Sequence, residues 1–387
     1  MKTISIIATG GTIASECSAD GIKPTYQLNE MLRDVPEIHS MANIMSHQLM
    51  NKDSSNMQPS DWVKIAACVH KELKYSDGVV ITHGTDTMAY TSSVLSFMLQ
   101  NLNKPVILTG SQRSWNEEST DAKSNLIDAV KMAASGAEKK INGVHIVFHG
   151  KIIKGCRARK SKHLERTELD AFETVNYPLV GMIKGEHIML NPILLAENRN
   201  RSGSIALDTK LGTGVMMITL APGFNPDILE AVKDKCNAII IQAYGLGDMP
   251  IQGRGALVPV IKNCIDEGKI VAITSQACYE TDLTRYEVGK KFLELGVIPT
   301  LDMTQESAYT KLMWVMGHTR KPELIKTMMW ENYAGEIWPL NGTNGHQRDV
   351  MGEMARYHDL TRILYESNTK LMDVMEEIFE KVRSARH

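Results

Sequence analysis

The sequence predicts an α/β protein of two domains, the N-terminal one larger, followed by a helical tail. Three observations predict it: short unalternating apolar runs, helical periodicity between them, and a polar break near residue 200 after which the alternation resumes. A chain of 387 residues is long enough for two cores, at roughly 100–200 residues per domain. Its 43% hydrophobic and 23% charged residues exclude a disordered or fibrous chain.

The elements follow in order. Ile4–Ala8, Gly78–Thr82, Val106–Thr109 and Val144–Phe148 are short and β-branched, as expected of strands covered on both faces. Met88–Leu99 and Asp121–Ala134 carry apolar residues at helical spacing, so strand, helix and strand alternate as in crossovers on a parallel sheet. Glu197–Asn200 running into Arg201-Ser202-Gly203-Ser204 reads as a linker. Beyond it, Val215–Thr219, Ala238–Gln242, Ile270–Thr274 and Val297–Leu301 form a second set of strands. Helices are expected near Asp227–Lys235, Ala256–Glu267, Tyr286–Leu295 and Ser307–Val315. The predicted organisation is an N-terminal domain over 1–196, a linker over 197–213, a C-terminal domain over 214–342 and a tail over 343–387. In the tail, Leu360, Ile363, Leu364, Leu371, Val374, Met375, Ile378 and Val382 share one helical face, to be covered by the same protomer or by a neighbour.

Charge and cysteine usage narrow the function classes. Lys and Arg number 43 against 45 Asp and Glu, a net charge of −2 with no overall pull toward nucleic acid or an acidic membrane. No apolar run reaches the ~18–20 residues of a membrane-spanning helix, and the N-terminus lacks the form of a signal peptide. Six scattered cysteines with no Cys-x-x-Cys pair read as reduced thiols, which points to the cytoplasm. No metal-ligand cluster stands out, and no cofactor is expected.

Two motifs each follow a predicted strand. Thr9-Gly10-Gly11-Thr12 combines glycines that let the backbone turn and approach a ligand with threonine hydroxyls at the strand ends. A bare turn, or a dinucleotide cradle, competes with that reading, although Gly-x-Gly-x-x-Gly is absent. His83-Gly84-Thr85-Asp86-Thr87 precedes the helix from Met88; Thr85 or Asp86 could simply cap that helix. Two threonine-bearing loops at neighbouring strand ends suggest a hydroxyl nucleophile with a polar relay.

Thr-Gly-Gly-Thr-Ile-Ala at 9–14 and His-Gly-Thr-Asp-Thr at 83–87 together resemble the two signatures of the bacterial-type L-asparaginases. Asp53-Ser54-Ser55-Asn56-Met57, followed by Asp61-Trp62, resembles the substrate-carboxylate loop of their cytoplasmic (type I) members. Gly155-Cys156-Arg157-Ala158-Arg159-Lys160 resembles their Gly-x-Arg-x-x-Lys segment. The resemblance implies a larger, mainly parallel-sheet catalytic domain and a smaller Rossmann-like C-terminal α/β domain. It implies Thr12 as nucleophile, a Thr85, Asp86 and Lys160 constellation that moves protons, and Asp86 as the holder of the substrate ammonium. Ser54 and Ser55 would receive the α-carboxylate, beside Gly11 and Gly84, and Tyr26 is the nearest candidate for the family's loop tyrosine. Lys162 is the alternative to Lys160, because the segment before Phe172 is about three residues longer than usual. Asp248 stands where many family members carry asparagine. L-asparagine, or else L-glutamine, is the implied substrate, and a homodimer or homotetramer the implied assembly.

Gly110-Ser111-Gln112-Arg113-Ser114, Arg157-x-Arg159-Lys160 with Asp170-Ala171-Phe172, and Ala308–Gly317 with Gly335-Glu336 resemble instead the asparaginase-like subunit of glutamyl-tRNA(Gln) amidotransferase. That alternative implies an ammonia-producing subunit with a protein partner and a tRNA. Residues 151–166, with seven Lys or Arg against one Glu, would suit it as a basic patch, unless they are a solvated loop that supplies one catalytic lysine. The chain opens directly at the first catalytic strand, which favours the hydrolase. A third reading, an amino-acid sensor without turnover, needs no nucleophile and so leaves Thr12 unexplained.

Overall fold

The computed structural model describes residues 1–18, 21–139, 141–161, 169–191, 194, 203–277, 280–338, 370 and 374. It forms two compact units, the first mainly from Met1–Thr174 and Leu179–Thr209, the second from Val175–Pro178 and the described residues of Lys210–Asn368. The second unit therefore includes four residues from inside the predicted N-terminal domain.

The first unit is built on an eight-stranded sheet. Its spatial order is His187–Leu190, Gly181–Lys184, Lys151–Lys154, Gly143–Phe148, Pro105–Thr109, Gly78–Thr82, Thr3–Gly10 and Asn43–Lys52. Strands from Gly143–Phe148 to Asn43–Lys52 run parallel, and the first three pair antiparallel as an extension. The four apolar runs foreseen as strands are four of the five strands of the parallel half, and Gly78–Thr82 and Pro105–Thr109 are buried at every residue. Helices Met88–Met98 and Ala122–Lys139 are where the periodicity placed them, the second running five residues further.

Several elements have no counterpart among the sequence expectations. Asn43–Lys52 is a sheet edge of mixed polarity with five exposed positions and no fully buried one, so no apolar run marks it. The helix Pro59–Glu72 begins with a reciprocal cap between Gln58 and Asp61 and with Pro59 at its first turn. Inside the expected linker, Ala206–Leu207 pairs with Leu99–Gln100; residues 197–202 lie outside the described ones.

The second unit holds a four-stranded parallel sheet in sequence order: Val215–Thr219, Ala238–Ala243, Ile270–Ser275 and Ile298–Pro299. The last strand is shorter than expected, since Leu301 turns left-handed at φ 57°. Ile239, Ile241, Val271, Ile273, Ile261 and Phe292 pack as one buried cluster. That burial, at roughly 25 cal/mol per Å² of apolar surface, is what holds the helices Val258–Asp266 and Glu287–Glu294 to the sheet. Apart from Val374, the apolar stripe of the tail falls outside the described residues.

Candidate active site

The site forms at the carboxyl ends of two adjacent strands, Thr3–Gly10 and Gly78–Thr82. From Thr3–Gly10 the chain first crosses to Asn43–Lys52 on one side, then returns to Gly78–Thr82 on the other. Such a reversal opens a crevice between the outgoing loops, the position ligands take in open α/β sheets.

Three loops meet there with no room to spare. Gly10 has φ 99° and Gly11 φ 84°, conformations open to glycine. A methyl group on Gly10 would lie 2.3 Å from the Lys52 nitrogen, and one on Gly11 would lie 2.2 Å from the Gly84 nitrogen. On Gly84 it would lie 2.6 Å from Ser54 Oγ. The glycines therefore bring the Thr12, Ser54 and Thr85 loops into direct contact. The Gly11 carbonyl accepts from the Ala14 N–H at 3.0 Å and from Ser15 Oγ at 2.9 Å, which sets the short helical turn Thr12–Ala14. Thr12 is half-buried, and its hydroxyl makes no hydrogen bond among the described residues.

Lys160 reaches the same place from a distant part of the chain. Its Nζ donates to Thr85 Oγ1 at 2.8 Å and to Asp86 Oδ1 at 2.7 Å. Its strand, Ala158–Lys160, follows the turn Gly155–Arg157, whose Gly155 carbonyl accepts from Ser92 Oγ at 2.7 Å. Ser92 sits in the helix Met88–Met98, which begins just after Asp86. One helix thus fixes both halves of the constellation. Across the antiparallel pair Lys160 faces Phe172, whose ring packs edge-on to Phe148 at 5.1 Å. Asp86 keeps a side-chain exposure of 57%, against 12% for Lys160, so the carboxylate remains within reach of a ligand.

The remaining expected residues divide. Ser54 is buried against Gly84, and its carbonyl accepts from Thr87 Oγ1 at 2.8 Å. Ser55 is exposed, and its N–H and Oγ both donate to Asp53 Oδ1 at 2.8 Å. Tyr26 is half-buried and tied by its N–H to the Ala14 carbonyl at 2.9 Å; its hydroxyl makes no hydrogen bond among the described residues. Lys162 lies outside the described residues. Asp248 belongs to the second unit, in a turn closed by Asp248 N–H to the Tyr244 carbonyl at 2.9 Å, and burial pushes its carboxyl upward.

The basic stretch is largely spent inside the fold. Arg157 is fully buried, Lys151 pairs with Asp170 at 2.5 Å, and Lys160 donates to Thr85 and Asp86. Lys154 and Arg159 are also engaged, so the described part of 151–166 is no open basic surface.

Sequence reasoning missed the support behind His83. Its Nδ1 stands 2.7 Å from the Gly84 carbonyl and its Nε2 3.0 Å from Thr91 Oγ1, which accepts from Trp62 Nε1 at 3.1 Å. The indole can only donate and the carbonyl only accept, so the chain runs one way, with Nδ1 protonated and Nε2 accepting from Thr91. Burial holds the imidazole down at about 4, against the pull of the Gly84 carbonyl. A histidine in a motif gives no sign of such a role without its neighbours in space.

Residues 3–194 match the family model described as Asparaginase, N-terminal, and residues 214–329 the Glutaminase/Asparaginase C-terminal domain. The chain belongs to the asparaginase family. It is 41% identical over 334 residues to an L-asparaginase of Thermococcus kodakarensis, covering 86% of this chain and 98% of that one. It is 40% identical over 354 residues to a glutamyl-tRNA(Gln) amidotransferase subunit of Pyrococcus furiosus, covering 89% of this chain and 78% of the relative. The solved thermostable L-asparaginase of Thermococcus kodakarensis superposes with a TM-score of 0.77 at 38% identity, over 87% of this chain and 99% of that one. In this asparaginase-family chain, both threonine loops and Lys160 fall within the residues of the N-terminal family model.

Proposed function

We propose that this chain hydrolyses the side-chain amide of L-asparagine, giving L-aspartate and ammonia through a threonine ester. The observation that carries the reading is Lys160 Nζ engaging Thr85 Oγ1 and Asp86 Oδ1 beside the turn that bears Thr12. A threonine hydroxyl is a weak nucleophile until a neighbour takes its proton, and Lys160 can take one through Thr85 when its amine is neutral. Thr12 Oγ attacks the carboxamide carbon, and its proton passes to the Thr85–Lys160 pair. The C–N bond breaks as ammonia leaves with that proton. Water then adds to the ester carbon, gives its proton to the same pair, and Thr12 departs reprotonated.

The zwitterionic end of the substrate needs an anion and hydrogen-bond donors. Asp86 suits the ammonium, since its carboxylate is reachable, and the Ser54 hydroxyl beside Gly84 suits the carboxylate. L-glutamine differs by one methylene, worth only ~1–3 kcal/mol in a pocket.

One observation favours a second reading: the identity to an amidotransferase subunit nearly equals that to the L-asparaginase. The same amide cleavage would then feed ammonia to a partner. Release of ammonia by the purified chain alone, on L-asparagine and L-glutamine, separates the two. Full turnover alone is expected; negligible turnover rescued by a second protein and charged tRNA would establish the other reading.

A homodimer or homotetramer in the cytoplasm belongs to the same proposal. The five described cysteines are free thiols, four of them buried, which suits a reducing compartment. Among the described residues no helix is long and apolar enough to cross a membrane.

A further inference from the structure

Gln112 stands at the end of a third strand beside the same site. The segment after Pro105–Thr109 touches the loop before Thr85 so closely that a methyl group on Gly110 would lie 2.3 Å from the His83 carbonyl oxygen. Its course is fixed from below. The Asp121 carboxylate accepts from the Gln112 N–H at 2.9 Å and from the Arg113 N–H at 3.0 Å. Asn125 Nδ2 donates to Asp121 at 3.0 Å and to the Gly110 carbonyl at 2.9 Å.

Gln112 is 8% exposed, and among the described residues its side-chain amide makes one hydrogen bond. Thr85 Oγ1 lies 3.5 Å from Gln112 Oε1, a long bond of the kind that tightens when a site closes on its substrate. Among the described residues, Gln112 Nε2 is buried with no hydrogen-bond partner. A buried donor left unpaired costs ~1–3 kcal/mol, a cost that a methionine of similar shape would not carry. Packing alone therefore argues against glutamine at this position. What glutamine offers that methionine lacks is its carbonyl oxygen at Thr85.

The hydroxyl of Thr85 already accepts from Lys160, so its own proton has to point elsewhere. We infer that Gln112 is a positioning residue for Thr85: its side-chain oxygen accepts a hydrogen bond from the Thr85 hydroxyl while Lys160 donates to that hydroxyl, and the hydroxyl turns to Lys160 once the amine is neutral. This rests on the amide-hydrolase reading. Gln112 fixes the resting orientation of the Thr85 hydroxyl, which leaves the Thr85 oxygen lone pairs facing Lys160 and the incoming proton. Among the described residues, charged groups near it include Lys160 and Asp86 at Thr85, and Asp121, which accepts from the Gln112 and Arg113 N–H groups.

Gln112→Met and Gln112→Glu test the inference, with the intact enzyme releasing ammonia from L-asparagine. For Gln112→Met the expected result is kcat lowered about 10- to 100-fold, KM changed less than about threefold, and a melting temperature equal to or above wild type. A merely structural role would lower the melting temperature instead. In Gln112→Glu the added carboxylate favours the charged ammonium of Lys160, so the acid limb of the kcat/KM profile moves to higher pH. Wild-type kcat and pH profile in both variants would overturn the inference and leave the hydrolase reading standing. An intact chain inactive on every amide, alone and with a partner, would overturn both.

Discussion

Gly11 and Gly84 touch through their backbones: a methyl group on Gly11 would lie 2.2 Å from the Gly84 nitrogen and 2.3 Å from its Cα. The contact welds the turn carrying Thr12 to the loop carrying Thr85 and Asp86. Gly11 also has φ 84° and ψ −176°, a region closed to residues with a side chain. Gly11→Ala combines a clash against backbone with a strain of ~1–3 kcal/mol. The expected product is a folded protein with turnover reduced at least a hundredfold, read by thermal melting and ammonia release. Near-native turnover would show that the loops need not meet.

Lys160 touches Thr85 and Asp86 together, so the three should act as one unit. Thr85→Ala and Lys160→Met are each expected to lower turnover by about three orders of magnitude, and the double variant hardly further. Thr12→Ala should in addition abolish any trapped acyl adduct in the mass spectrum of the protein. Independent, multiplying losses in the double variant would separate Lys160 from Thr85.

The two serines separate by environment. Ser54 is buried with its Oγ against Gly84, whereas the Ser55 hydroxyl is committed to Asp53. Ser54→Ala should raise KM for asparagine more than about tenfold at similar kcat, since a donor to the substrate carboxylate is lost. Ser55→Ala should change it less than about threefold. The opposite order would exchange their roles.

Legibility in the sequence follows burial and locality. Gly78–Thr82 is buried at every residue, so its apolar run announces it, whereas Asn43–Lys52 is an exposed edge that announces nothing. Thr12 and Thr85 sit in glycine-bearing loops next to such strands, which makes them visible as a pair. Lys160 is found only through a resemblance, because 74 residues separate it from Asp86 and no periodicity links them. His83 and Gln112 both lie in segments the sequence singles out, but what they pair with stays hidden for a further reason. Their significance lies in which polar atoms are paired and which are not, a property of three-dimensional neighbours.

In the second unit Lys311 and Glu336 form an ion pair at 2.6 Å with no exposure on either side chain. Lys311 Nζ also donates to the Met329 carbonyl at 2.9 Å, and Glu336 accepts from the Ala334 N–H at 2.7 Å and the Tyr333 N–H at 3.1 Å. Burial opposes the Glu336 charge, yet Lys311 and the two backbone donors hold its carboxyl below the usual range. Removing one partner strands the other, at ~3–5 kcal/mol. Lys311→Met should destabilise by that order in denaturant melts, and Lys311→Met with Glu336→Leu should recover most of it. A double variant as weak as the single would mean that packing, not charge, dominates there.

His83 gives the site a definite response to acid. Its imidazole is held at about 4 when folded, against 6.5 when exposed. Between those values the unfolded chain binds a proton that the folded chain refuses, so stability rises with pH there. The contribution is complete above 6.5, declines as pH falls toward 4 and levels off below it. At ~1.4 kcal/mol per unit the loss reaches about 3 kcal/mol. Asp121 and Asp128, whose carboxyls burial pushes upward, the latter to about 6, act in the opposite sense. The wild-type curve is therefore a sum, and a variant is needed to isolate the histidine. His83→Asn keeps an N–H for the Gly84 carbonyl but cannot titrate. Its stability deficit, measured by denaturant unfolding, should be largest at pH 7 and shrink as pH is lowered to 4. A deficit constant across that range would mean that His83 is not held neutral, and the one-way chain from Trp62 to Gly84 would fall with it.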